Sequence, residues 1–491
     1  MYDHFVFDVQ VRYALGYRDL KEGEFDLRTL YNFRRRLSQY NQEHETNLLA
    51  RAFVDITDQQ IAAFKIQTNM QRMDSTQIAS HILDASRLHL AVEAVQRLAR
   101  LLNAEEQERL REDLAPYIRG DAGQFVYRLK GKPATAEALQ RAGEILYRLL
   151  NGLKATCEKE LAYQVVQRFF DENFQVVGGG ECLQVKDQKE LGSGSLQSLD
   201  DLEASYRQKG NRFYKGYVVN LSETCVPDNP LQIITQVQVA PNNMEDADLL
   251  IEAIPELKQR MPLDTLYTDG GYGSPQADQL LDQQQIEQHQ TGIRGKQPRP
   301  DKLGLSDLSF QLDGDGNPVH AICPQGQKGR VAPGAFSDYI AYFDASICRD
   351  CPLHISRRCR VRRVKQDRNR FNWAFSCKEL LWALRRKRYL ALKQQGNNPR
   401  SAVEATVRSV KRAYPKSKLP VRGQFRVSCM MLAAAAMTNI RRISRYLSGI
   451  NNQPGVQNNS PDPAVDSFMF TLLSAFDHFF CDWLVGDLAF Y

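Results

Sequence analysis

The spacing of apolar residues changes character several times along the chain. Up to about residue 66, RYALGY, FDLRTLYNFRRRL and NLLARAFVDITDQQIAAFK carry apolar positions at helical intervals between short polar breaks, which predicts an N-terminal helical region. Asp26 precedes the middle segment and is placed to cap it, its carboxylate meeting unpaired backbone N–H groups. The stretch IQTNMQRMDSTQI then roughly alternates apolar and polar residues, as a half-buried strand does, with Asp74 near its end. From His81 to about Phe174 the three- and four-residue spacing returns in RLHLAVEAVQRLARLL and AEALQRAGEILYRLLNGL, predicting a helical insertion. VVGGGE and LGSGS punctuate residues 176–195.

Beyond residue 203 strands and helices mix. YKGYVVNLSE and LQIITQVQVA predict two strands joined by a turn over Pro227–Pro230, and NNMEDADLLIEAIPELKQRM predicts a helix. A short apolar run, PLDTLYTDGGYG, follows and ends in Asp269, Gly270 and Gly271; the glycine pair suits a tight turn. SPQADQLLDQQQ and IEQHQTGIR predict a further helix and a short strand. In residues 300–376, LSFQLDGDGNPVHAICPQG predicts a hairpin around DGDGN, and helices resume at about 378 with KELLWALRRKRYLALK, RSAVEATVRSVKRAY and VSCMMLAAAAMTNIRRISRYL. A linker, GINNQPGVQNNSPDP, leads to an apolar tail. Asp477, His478, Asp482 and Asp487 interrupt that tail, so packing or self-association is expected rather than a membrane span. The fold class is therefore α/β with large helical additions. Its expected units are 1–66, 67–80, 81–176, 200–299, 300–376, 377–447 and 448–491.

A length of 491 residues calls for two or three structural units, and 43% hydrophobic with 25% charged residues is ordinary for a globular chain. MYDHFVFDVQ has no basic run followed by a long apolar one, so a cytoplasmic location is expected and disulfides are disfavoured. The formal charge of +6 is unevenly distributed. Residues 357–426 hold 22 Lys and Arg against Asp367, Glu379 and Glu404, which is 22 − 3 = +19, leaving 6 − 19 = −13 for the rest. Such a concentration suits a polyanion, with double-stranded DNA the leading partner, because each Lys or Arg that meets a phosphate releases counterions. The alternative is a solvated helical face. Arg34, Arg35 and Arg36 are expected at the C-terminal turns of their helix, where cations suit the macrodipole or a DNA backbone equally.

Three acids stand where a two-metal nuclease would want them: Asp74 and Asp269 at strand ends, and Glu404 on a basic helix. Hard Mg²⁺ prefers carboxylate oxygens and keeps waters and substrate phosphates as its other ligands. Two such ions can stabilise both oxygens of an in-line phosphodiester displacement. Ser75 and Thr76 lack a legible His and Asp arrangement, so hydrogen bonding is expected of them rather than nucleophilic catalysis.

MDSTQI around Asp74, TDGGYGS around Asp269, and Arg400, Glu404 and Lys411 in RSAVEATVRSVK together resemble the DDE transposases of bacterial insertion sequences. The last motif is similar to that family's Tyr-x2-Arg-x3-Glu-x6-Lys, with Asn397 at the Tyr position. The resemblance spans roughly residues 10–447 and implies an RNase H-like mixed-sheet catalytic core. In it Asp74, Asp269 and Glu404 would bind two Mg²⁺ or Mn²⁺ ions, cut DNA at the element's ends and join the freed 3′-hydroxyl to target DNA. It also implies a homodimer on DNA, nucleoid association in a bacterial cytoplasm, and N-terminal DNA-binding elements beyond those of this chain. On a helix Arg400, Glu404, Arg408 and Lys411 share a face on which cations can hold phosphates, ordinary ion pairing being the alternative. The rival readings are a catalytically inactive DNA-binding remnant, a zinc-containing structural or regulatory protein, and a plain RNase H-like nuclease.

Cys323, Cys348, Cys351 and Cys359 form C-x24-C-x2-C-x7-C, a set that would suit a structural Zn²⁺, with reduced buried thiols as the alternative. His320 and His354 are candidate substitute ligands, and core packing is expected of Trp373 and Trp382.

Overall fold

A computed structural model describes residues 6–9, 12, 17, 19, 23–118, 126, 128, 129, 131–177, 182–292, 299, 301–314, 316–334, 336–364, 367–394, 402–412 and 418–451. Most of RYALGY, Arg400, Asn397, and the linker and tail from 452 lie outside these residues.

Helices α1 (Leu27–Glu43) and α2 (Leu48–Ala63) open the described chain, capped by Asp26 and Asn47, whose side chains accept from the Arg28 and Ala50 amides. Because α1 runs on to Glu43, Arg34, Arg35 and Arg36 sit at its middle rather than its last turns, away from the carboxyl end of the dipole. Strand β1 (Met70–Ile78) follows.

The expected helical insertion comprises α3 (Arg87–Ala99), α4 (Ala104–Arg109), α5 (Arg111–Ile118), α6 (Lys132–Cys157) and α7 (Leu161–Asn173). Leu98, Leu146, Val166 and Phe169 are fully buried in its own core, and each such side chain contributes about 1.5–3 kcal/mol by leaving water. Where the glycine run suggested only punctuation, β2 (Phe174–Val177) and β3 (Cys182–Val185) pair as an antiparallel hairpin.

The larger mixed sheet is completed by β4 (Ser205–Lys209), β5 (Arg212–Thr224), β6 (Ile234–Pro241), helix α8 (Asp246–Arg260), β7 (Thr265–Thr268), α9 (Pro275–Gln283) and β8 (Glu287–Gln290). Its order is β6-β5-β1-β7-β8, antiparallel across β6, β5 and β1 and parallel across β1, β7 and β8. The first part of β5 pairs with β4, a strand the apolar pattern did not announce, and the remainder pairs with β1 and β6. Gly216 marks the handover, with φ at +129°; a Cβ there would stand 2.5 Å from the Ile78 carbonyl oxygen.

The Cys-rich stretch forms a second sheet from β9 (Ser309–Leu312), β10 (Pro318–Ile322), β11 (Lys328–Pro333), β12 (Tyr339–Asp344), β13 (Arg362–Arg363) and β14 (Arg370–Phe375), in the antiparallel order β13-β14-β12-β11-β10-β9. Short helices α10 (Ala345–Arg349) and α11 (Pro352–Ile355) lie between β12 and β13. Then come α12 (Cys377–Gln394), α13 (Val403–Lys411) and α14 (Gln424–Asn451). Met431, Ala435 and Val427 of α14 pack on Tyr217, Val219 and Leu221 of β5. Asn439 of the same helix accepts from the Ile234 amide at 2.8 Å and donates to the Ile234 carbonyl at 2.9 Å, satisfying backbone groups of β6. No helix among the described residues is long and apolar enough to cross a membrane.

Candidate active site

Strands β1 and β7 run parallel with Met70 opposite Thr265, Gln71 opposite Leu266 and Arg72 opposite Tyr267. Carrying that register two residues further brings Asp74 level with Asp269, on chains about 4.8 Å apart. Asp269 follows the last residue of β7, and its Oδ1 accepts the Gly271 amide at 2.6 Å in a tight turn. The expected turn at Gly270–Gly271 is therefore present. Asp74 differs from expectation in being central to β1, because pairing with β5 carries the strand on to Ile78. It nevertheless stands just past the last residue that β1 pairs with β7.

Glu404 comes from α13, whose Val403, Thr406 and Val410 are buried. Thr406 donates its hydroxyl to Glu223 at 2.7 Å, and Glu223 pairs with Arg72, its partner across the β1–β5 register. Arg442 of α14 also binds Glu223, at 2.8 Å. At the other end of α13, the Lys411 ammonium donates to Thr76 Oγ1 at 2.7 Å. Arg72, Asp74 and Thr76 alternate onto one face of β1. Helix α13 is thus tied to β1 on both sides of Asp74. Glu404 lies in its exposed first turn, seven positions from Lys411 and hence on nearly the same stripe, roughly 10 Å along the axis. Among the described residues no three of His, Cys, Asp or Glu are grouped to hold a metal ion.

The flanking cations occupy different settings. Lys411 has its pKa lowered by burial and then by Lys209, while Arg408 and Arg35 are exposed. Arg34 is half-buried; burial and then Arg426 lower its pKa. Ser75 and Thr76 act as hydrogen-bonding residues, as expected.

Several polar groups were not singled out by the sequence. Ser75 donates to Asp246 Oδ1 at 2.7 Å, and Asp246 is 1% exposed. The buried Tyr272 hydroxyl donates to Asn220 Oδ1 at 2.7 Å. Burial, then Asp246, Asp74 and Asp269, hold the Tyr272 phenol well above its ordinary pKa. One buried phenol thus lies within electrostatic reach of three carboxylates, so negative charge is concentrated at this end of the sheet. Asp246 had registered only as part of a helix start in NNMEDADLL, and Glu223 only as the acid closing an apolar strand.

On the other side of Asp269, Arg385 of α12 reaches Asp278 of α9 at 2.7 Å and 3.1 Å, with both side chains 12% exposed. A Cβ on Gly273 would stand 2.8 Å from Arg385 Nη1, so α12 lies close against the turn that follows Asp269. The four cysteines of the Cys-rich sheet are free thiols around one small cavity, with Trp373 also in its lining.

Residues 322–444 match the family model described as a transposase DDE domain. The chain is similar to the DDE transposases. The matched stretch contains the four cysteines, Glu404, Arg408 and Lys411, whereas Asp74 and Asp269 precede it. No curated protein and no solved structure matches the chain.

Proposed function

We propose that this chain is a DNA transposase that cuts at the ends of an insertion sequence and transfers the strand into target DNA, with Asp74, Asp269 and Glu404 as its metal-binding acids. The level placement of Asp74 and Asp269, beneath a helix that carries Glu404 and is tied to β1 on either side of Asp74, carries this reading. The strand order β6-β5-β1-β7-β8, three antiparallel strands followed by two parallel ones, supports an RNase H-like core.

The donor set fits a hard divalent ion: the acids present only oxygen, and the carboxylates around Tyr272 leave negative charge for a cation to offset. Two Mg²⁺ or Mn²⁺ ions held there would supply the positive charge that steadies the attacking and leaving oxygens of a phosphodiester. The chain's own cations do the rest. Lys411, beside Thr76, and Arg408 on the exposed side of α13 hold DNA phosphates next to the acids, and Arg400, Arg34 and Arg35 extend that contact. Paired element ends call for two copies of the chain on DNA.

The test is cleavage of a supercoiled plasmid bearing the DNA that flanks this gene, with Mg²⁺ or Mn²⁺, comparing wild type with Asp269→Ala and Glu404→Ala. Cuts at the element ends, joined products, and loss of both in either variant are expected. Salt-sensitive DNA binding without any cleavage by the wild type would instead indicate a DNA-binding remnant.

A further inference from the structure

Four thiols meet at one end of the second sheet. Cys323 follows β10 and opens a turn in which the Gly326 amide donates to its carbonyl at 2.8 Å, with Gly326 at φ +78°. Cys348 lies in α10, and Cys351 caps α11, its amide donating to the Cys348 carbonyl at 3.4 Å. Cys359 returns from α11, held by a 2.8 Å bond from its amide to the Leu353 carbonyl. Because β11 and β12 are antiparallel with Arg330 opposite Tyr342, the Cys323 turn and the exit of β12 fall at the same end of the sheet.

The cavity that these residues line has a free volume of about 20 Å³. That is room for a single water-sized or ion-sized occupant. His354 lines it too, and its Nδ1 is buried without a hydrogen-bond partner. Backbone amides of Arg360 and Val361 donate toward the Cys359 sulfur. An orphaned ring nitrogen and amides directed at sulfur are the supporting groups that a thiolate-bound metal uses and that a plain apolar core does not need.

We propose that Cys323, Cys348, Cys351 and Cys359 bind one structural Zn²⁺, with His354 supporting a sulfur ligand from beside it. The four thiolates replace their protons with the metal, drawing in to Zn–S bonds of about 2.3 Å, and no oxidant or reductant is required. Leu380 of α12 shares this core with Cys348. The metal therefore also steadies the helix whose Arg385 grips Asp278 beside the Asp269 turn.

The full chain, purified under reductant without added chelator, is expected to carry one zinc per chain by elemental analysis, falling below a tenth in Cys351→Ser and Cys359→Ser. Cobalt loaded in its place should give a thiolate-to-metal charge-transfer band. Should those variants fail to fold, metal release from the wild type by a mercurial reagent serves instead, with four thiols titrated per zinc and a change in Trp373 emission expected. Asp269→Asn should keep its zinc, which separates failure at this site from failure of the transposase reading. Four reactive thiols with no zinc as isolated, and no cobalt band after loading, would overturn the proposal.

Discussion

Removing the Glu223 carboxylate should unseat the helix that carries Glu404. Glu223 is fully buried and accepts from Arg72, Arg442 and Thr406, so one side chain joins β5, β1, α13 and α14. In Glu223→Ala the Arg72 and Arg442 guanidinium groups lose their common anion, and Arg72 is left 7% exposed without it. Breaking such a buried pair from one side costs about 3–5 kcal/mol, because the remaining charge stays desolvated. For a cooperative unit of 150–250 residues that corresponds to a fall of roughly 6–20 °C in Tm. Thermal unfolding followed by circular dichroism measures the loss, and amide hydrogen exchange over residues 403–411 locates it. The triple replacement Glu223→Leu, Arg72→Met and Arg442→Met should recover most of the stability, since exchanging all charged partners for apolar groups of similar size is close to neutral. A Glu223→Ala protein melting within about 2 °C of wild type, less than the shift for a single kcal/mol, with α13 still protected, would refute the reasoning.

Thiol reactivity tests the burial of two cysteines in the larger sheet's surroundings. Burial pushes Cys225 up to about 12 and Cys429 up to about 11 from an ordinary 9.0, so in native protein at pH 8 an alkylating reagent should label exposed Cys182 and Cys377 first, as peptide mass spectrometry would read. Both folded values are raised, so the stabilisation they reflect is whole below pH 9 and is lost as pH climbs toward 11–12; melting temperature should fall across that window. Lys411→Ala and Arg408→Ala should each lower the slope of log DNA affinity against log salt by about 1, and equal slopes for wild type and both variants would remove them from the phosphate contacts. Because burial and Lys209 lower the Lys411 pKa, its contribution to DNA affinity should fade with rising pH earlier than that of a fully solvated lysine, measurable as a difference between wild type and Lys411→Ala titrated in parallel. Arg385→Ala removes two hydrogen bonds to Asp278 and should cost about 2 kcal/mol, with faster amide exchange in α12 and in the turn after Asp269.

What could be read from the sequence follows the range over which each interaction acts. The acids at 74, 269 and 404 were legible because each stands inside a short motif, and the helix caps at Asp26 and the DGDGN hairpin because turn and cap chemistry is local. The levelling of Asp74 with Asp269 was not, since it depends on a parallel register between residues 269 − 74 = 195 positions apart. Nor was the central position of Asp74 in β1, because the strand's length is set by β5, which arrives some 140 residues later in the chain. Glu223 is the sharpest case. A solitary acid after YVVNLS reads as a strand end, yet its partners Arg72, Thr406 and Arg442 lie 151, 183 and 219 positions away and come from three different elements. A buried carboxylate persists only where such partners converge. The third acid of the site sits on a helix that no strand ladder holds, so the position of Glu404 relative to the two aspartates is set by this buried network and by Lys411 on Thr76, contacts that no periodicity in the chain encodes.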